Sequence, residues 1–252
     1  MSRILHVIPI LAVVGMLAAP AVADFSNPAL PVSITRTTGY YSGDGGEFTI
    51  TPGVALANQV LLGTHSDLAG GTSWQTFCVE RNEYVNVPGS YFADINTFSA
   101  AGGVSGQDGY NGPNGVSSDS LDPRTAYLYQ NFRLGTLLTS YGYGPSRSGD
   151  AGALQNAIWY IEGEVSSLSG KAITYYDEAV AATLLGTFYD GSLPNGVATW
   201  TGLGDVRILN LWDHADHTGF HQDQLTLVPT PGAALLGVIG LSLISRSRRG
   251  VC

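Results

Sequence analysis

The sequence predicts an α+β domain: an antiparallel β-sandwich or barrel-like core carrying an inserted helical subdomain of about three helices. Residues 31–64 read as β, with apolar and polar side chains alternating over 33–37, and 206–212 with 224–228 read as a terminal hairpin. Residues 122–188 switch to apolar spacings of three and four, the period of a helix. The order is β, then helices, then β. The last strands are therefore expected to close the sheet begun by the first ones.

Taken in order, residues 33–37 alternate, Ser42-Gly43-Asp44-Gly45-Gly46 is a turn, and residues 47–51 form a second short strand. Residues 74–85 mix aromatic and β-branched with polar residues and read as a third strand or a pair, with Cys78 inside it. Residues 99–120 are mostly Gly, Ser, Asn and Asp, a long loop in which Asp108, Asn111 and Asp119 could loosely ligate calcium. Asp122-Pro123 opens a helix running to about Ser140, since Pro fits the first helical position. Tyr141-Gly142-Tyr143-Gly144-Pro145 breaks it. A second helix covers 150–163, with Asp150 as its expected cap and Gly163 as its stop. A third covers about 174–188, and Asn195-Gly196 marks a turn. Residues 206–212 and 224–228 form a terminal hairpin.

The two ends read as processing segments. In residues 1–23, Arg3 precedes an apolar run and an Ala21-Val22-Ala23 cleavage site, the pattern of a secretory signal. Pro9 and Pro20 interrupt that run, which argues against a membrane anchor. In residues 229–252, Pro229-Thr230-Pro231-Gly232 precedes an apolar run of 233–244 and then Arg246, Arg248 and Arg249. The run is short for a membrane span. This three-part order resembles the PEP-CTERM sorting signal of bacterial surface proteins, with Pro-Thr-Pro in place of Pro-Glu-Pro. The resemblance implies an exosortase-type processing enzyme, transient membrane association through the C-terminal segment, and a final place at the bacterial cell surface or in an extracellular matrix. A non-cleaved anchor is the alternative.

The chain has 11 basic and 20 acidic residues. The two ends hold four of the arginines and no acid, so residues 24–228 keep 7 basic and 20 acidic residues, a net charge of −13. Nucleic acid, which requires a basic surface, is excluded as a partner. Of the two cysteines, Cys252 lies in the C-terminal segment, leaving Cys78 alone in 24–228. A disulfide inside that segment is impossible, and a lone thiol in an oxidising compartment must be buried, paired between chains or chemically occupied.

On the helix of 150–163, Leu154, Ala157, Ile158 and Ile161 share one face. Gln155 sits at the edge of that stripe, one turn before Trp159. Once buried, its amide must satisfy both donors and acceptor, so Gln155 is either a structural amide or a reactive one.

Phe77-Cys78-Val79 and Leu154-Gln155-Asn156-Ala157-Ile158-Trp159 resemble, in that order, the two halves of the Cys–Gln thioester domain of bacterial surface adhesins. The likeness spans about 45–225. It departs from the family pattern at Leu154, where that family has Thr, and at Val79-Glu80-Arg81. The resemblance implies an internal thioester between Cys78 and Gln155, with no cofactor and no turnover. A surface amine or other nucleophile, on a partner protein or a polysaccharide matrix, would attack the Gln155 carbonyl and remain attached. Phe77, Trp74, Trp159 and Tyr160 are expected to exclude water. The helix N-terminus is expected to stabilise negative charge, with Gln155 in its first turn or just past it. Glu162 and Glu164 are expected in solvent, with Glu162 a candidate for assisting proton transfer. The plain alternative is a non-reactive structural surface or matrix protein in which Cys78 is a small buried apolar residue. His214, Asp216, His217 and His221 are weak zinc-site candidates, expected in a hairpin loop. A cysteine hydrolase using Cys78 with His214 or His217 lacks any supporting motif.

Overall fold

The computed structural model describes residues 27–63, 71–100, 110–111 and 117–229. The expected signal segment and nearly all of the sorting segment (Pro231, Gly232, Arg246, Arg248 and Arg249 included) lie outside the described residues, as does Asp108; Pro229 is the last described position. Among the described residues, no helix is long and apolar enough to cross a membrane.

The fold is α+β. Strands β1 (Leu30–Thr35), β4 (Phe48–Pro52), β5 (Trp74–Thr76), β6 (Gly89–Asn96), β10 (Val206–Trp212) and β11 (Phe220–Leu227) form one antiparallel sheet in the order β11-β10-β6-β1-β4-β5. The sheet curls until its edges meet. Just past β5, Val79 N–H donates to Asp223 O (3.1 Å) and Leu225 N–H donates to Phe77 O (3.1 Å). Cys78 faces Gln224 at this seam. Short strands β2 (Tyr41–Ser42) and β3 (Gly45–Gly46) make a hairpin between β1 and β4. A one-turn helix α1 (Val54–Ala57) follows β4. Strands β7 (Phe98–Ala100), β8 (Tyr110–Asn111) and β9 (Ser117–Ser120) make a small separate sheet.

Helices α2 (Pro123–Leu134), α3 (Ser148–Ile161) and α4 (Lys171–Thr183) are the inserted block. Asp122 caps α2 by accepting from Arg124 N–H (2.7 Å), and Pro123 opens it as expected. The helix stops at Gly135 in the left-handed conformation (φ 70°), short of Ser140, because glycine adopts that turn without a Cβ clash.

Several local expectations are corrected. Asp150 does not cap α3, which begins at Ser148; its carboxylate accepts from Gly142 N–H and pairs with Lys171, each at 2.6 Å. The third helix starts at Lys171 and ends at Thr183, three to five residues from its expected bounds. The strand expected over 74–85 is only Trp74–Thr76 plus the seam. The loop of 99–120 contains strand segments instead, with Asp119 paired to Ser99 in the small sheet. The last strand begins four residues early, at Phe220. One strand, β6, has no counterpart in the prediction, although it lies between β1 and β10 near the middle of the sheet.

Among the described residues two large buried cores result, beside a small cluster of Ala29, Ala100 and Trp212. The helices pack around Phe77, Leu128, Phe132, Leu154 and Tyr175. The sheet encloses Ile34, Phe48, Ile50, Trp74, Cys78 and Trp159. Phe77 and Cys78 face opposite cores because successive residues in extended backbone point to opposite sides.

Candidate functional site

Cys78 and Gln155 come from elements 77 residues apart and meet where the two cores join. Both are buried, Cys78 at 0% and Gln155 at 1% exposure. The Cys78 Sγ lies 3.2 Å from Gln155 Oε1. A carbonyl bond is about 1.23 Å long, so the sulfur is within about 4.4 Å of the carboxamide carbon.

The carboxamide is fixed at both of its polar atoms. Gln155 Oε1 accepts from Cys78 N–H (3.2 Å) and Gly46 N–H (3.3 Å). Gln155 Nε2 donates to Cys78 O (2.8 Å). Two backbone N–H groups on one carbonyl oxygen have the composition of an oxyanion hole. Neither donor belongs to the start of α3. Gln155 is the eighth residue of that helix, so the expected help from the helix N-terminus is replaced by β3 and the seam strand.

Gly46 reaches Gln155 because the β2–β3 hairpin lies flat on α3. A Cβ built on Gly45 would meet Gln155 Cγ at 2.6 Å and the Trp159 ring at 2.8 Å. On the opposite side, a Cβ on Gly152 would meet Ser42 Cβ at 2.8 Å. Arg36 ties the hairpin down, donating to the carbonyls of Gly43 (3.1 Å) and Asp44 while its guanidinium lies over the rings of Tyr41 and Phe48. The base of the hairpin is held by a buried ion pair. Arg147 Nε is 2.6 Å from Glu47 Oε1, and Nη2 donates to Oε2 at 2.8 Å. Tyr141 O–H donates to the same carboxylate, and the Arg147 guanidinium sits 3.4 Å from the Tyr40 ring centre.

A cleft of about 590 Å³ opens above the pair, lined in part by Arg36, Asp44, Arg81, Asn82, Tyr84 and Gln155. Comparison with protein families, curated proteins and solved structures gives no match for this chain.

Of the residues expected to shield the pair, Trp74 and Trp159 share the sheet core with Cys78. Phe77 instead packs edge-on against Phe132, and Tyr160 against Tyr176 and Tyr189, both on the helical side. Burial pushes the Cys78 thiol well above its ordinary range, and the Glu80 carboxylate adds to this. The Arg36 charge opposes it. The resting group is therefore a thiol.

Glu162 and Glu164 are buried, contrary to expectation. Glu162 accepts from Asp122 N–H at the start of α2 (3.3 Å) and Glu164 from Arg81 N–H (2.8 Å). The observed partners of Glu162 are on α2 and not on the Cys78–Gln155 pair. Glu80, the acid nearest in sequence to Cys78, accepts from Asp223 N–H (3.0 Å). Its Oε1 has no partner among the described residues.

The histidines are separated. His217 pairs with Asp94 (2.6 Å), while His221 pairs with Asp213 (2.7 Å) and the Tyr84 carbonyl. His214 and Asp216 are exposed. Among the described residues, no three His, Cys, Asp or Glu are grouped so as to hold a metal.

The sequence reading missed Gly46, Arg36 and the donor from the Cys78 backbone. The Gly-Asp-Gly-Gly turn was its only signal, and a turn does not say where it docks.

Proposed function

We propose that this chain is an exported bacterial surface protein that forms an internal Cys78–Gln155 thioester and uses it once, to attach covalently to a nucleophile on another surface. The observation that carries the reading is the contact itself: a thiol 3.2 Å from a carboxamide oxygen that two backbone N–H groups also hold. The Cys78 sulfur adds to the Gln155 carboxamide carbon. The charge that develops on Oε1 faces the N–H groups of Gly46 and Cys78. The thiol proton passes to the amide nitrogen, the C–N bond breaks and ammonia leaves. An incoming amine then attacks the same carbon through the cleft, forming an amide and returning the Cys78 thiol. Burial beneath the hairpin and Trp159 keeps water from hydrolysing the acyl group. Export and processing by an exosortase-type enzyme belong to the same proposal and rest on residues 1–23 and 229–252.

A second reading has its own support. The Gln155 amide is hydrogen-bonded at both its oxygen and its nitrogen and the thiol is held protonated, as suits a structural pair in a matrix protein.

Intact mass of the secreted chain separates the two. The thioester predicts a deficit of one ammonia, abolished by Cys78→Ala and by Gln155→Ala. Gly45→Ala, which lifts the hairpin and its Gly46 donor from Gln155, is expected to slow bond formation about 10²–10³-fold. A full-mass chain whose Cys78 alkylates in the folded state would leave the structural reading standing.

A further inference from the structure

We propose that the cleft above Cys78 and Gln155 selects a lysine flanked by acidic residues on a partner protein, with the Arg81 guanidinium at the rim binding a flanking carboxylate. This rests on the thioester reading and names the nucleophile of that reaction.

The shape of the site sets the reach of the nucleophile. Gln155 is 1% exposed, whereas Arg81, Asn82 and Tyr84 line the same cleft and are exposed. The reacting carbon is therefore reached by a thin arm, and the bulk of the partner stays at the rim. Phe48, Val85, Val87 and Trp159 also line the cleft and offer apolar surface to such an arm. A lysine has this form: a flexible four-carbon stem ending in a primary amine. Its methylenes lie along apolar surface while the amine goes further. A sugar hydroxyl, carried on or next to its ring, has no comparable reach.

The charge at the rim sets what surrounds that lysine. Residues 24–228 hold 7 lysines and arginines. Arg124, Arg147 and Lys171 pair with carboxylates, and Arg36, Arg133 and Arg207 donate to backbone oxygens. Arg81 is the exception. Its backbone N–H donates to Glu164, and its guanidinium has no hydrogen bond or ion pair among the described residues. In a segment of net charge −13, an open guanidinium on the cleft reverses the sign of the surface locally. Arg36 lines the cleft as well, against one acid, Asp44. The planar fork of an unengaged guanidinium matches a carboxylate, and exposed Asn82 and Asn156 on the same cleft add amide donors. When the lysine amine attacks the Gln155 carbon, the C–S bond breaks, its electron pair goes to the Cys78 sulfur, and the proton given up by the amine restores the thiol. The carboxylate on Arg81 takes no part in that step; it raises the occupancy of the cleft by the right amine.

The test uses the full secreted chain and two end-blocked peptides, Glu-Glu-Lys-Glu-Glu and Gln-Gln-Lys-Gln-Gln, with attachment followed by intact mass at physiological salt. The net charge of the protein favours the neutral peptide, so the field of the whole surface and the local site predict opposite orders. Where the wild-type chain carries the ammonia deficit, the acidic peptide is expected to attach about threefold faster, the size of one exposed ion pair. Arg81→Gln should abolish that preference, and Arg81→Lys, which keeps the charge, should restore part of it. Equal rates in the wild-type chain, or a preference that Arg81→Gln leaves unmoved, overturn the proposal and leave the thioester standing. Faster attachment of tri-galacturonate than of either peptide overturns it in favour of a polysaccharide. Where the wild-type chain has full mass, the thioester reading falls, and the same peptides are compared as ligands by calorimetry. Tighter binding of the acidic peptide, lost in Arg81→Gln, retains the cleft as an acidic-peptide site. Equal or absent binding overturns it.

Discussion

The two ends of α3 are held in opposite ways. At the N-terminal end the anions have cations: Arg147 with Glu47 in the interior, and Lys171 with Asp150 nearer the surface. At the C-terminal end, where the helix dipole favours positive charge, Glu162 and Glu164 are buried. Glu83 faces Glu164, and the Glu83 Oε2 is buried with no partner among the described residues. Burial pushes Glu162 to about 8, and burial with repulsion from Glu164 pushes Glu83 to about 7. The first end is fixed by charge pairing, in which burial raises the Glu47 carboxyl above its ordinary value against the hydrogen bond and charge of Arg147. The second depends on carboxyl groups staying protonated. Gln155 lies between them.

The largest expected effect is at the ion-paired end. Arg147→Ala leaves the Glu47 carboxylate buried beside Tyr141 without its cation, and should cost about 3–5 kcal/mol in denaturant unfolding. A cost under 1 kcal/mol would mean that the pair is not what fixes that end.

The acidic end should respond to pH instead. The folded pKa of Glu83 is raised above its ordinary value, so its contribution to stability is complete below about pH 4.5. It is lost as pH rises through about 7. Glu162 extends the window to about 8. The thermal midpoint should fall across this range, and Glu83→Gln should flatten the fall by on the order of 2 kcal/mol. An equal slope in both proteins would place the pH dependence elsewhere.

Least sensitive is the surface pair. Lys171 is 34% exposed, and Lys171→Ala should cost less than about 0.5 kcal/mol, falling further as salt screens the pair. Measured beside Arg147→Ala, it isolates what burial adds to the same charge arrangement at the same helix end.

The contrast also marks what the sequence could disclose. Helical spacing over 122–140 and 150–163, the Asp122-Pro123 start and the terminal hairpin are local patterns, and they led to the α+β class. Cys78 and Gln155 were legible as a pair because one is the sole cysteine of 24–228 and the other an awkward amide on a helix. Strand β6 escaped because its apolar residues do not alternate cleanly: Tyr91, Phe92 and Ala93 run together, and a polar residue, Asn96, takes a buried position. The burial of Glu162 and Glu164 escaped because a carboxylate at a helix end reads as solvated until another element covers it. Gly46 escaped because its contribution is a backbone N–H, and every residue but proline carries one.

The closing seam has a consequence for timing. Cys78 occupies the segment whose pairing with β11 joins the two edges of the sheet, and β11 is the last strand among the described residues. The distance in sequence between Cys78 and Gln224 makes this pairing costly in chain entropy, so it is expected after the more local elements. Until then the Cys78 N–H, the hairpin donor and Gln155 are not assembled around one carbonyl. On the proposed chemistry, an incomplete chain carries an inert thiol and an ordinary amide. Reactivity would arrive with the finished fold, so a nascent or misfolded copy would be spared attachment to its neighbours.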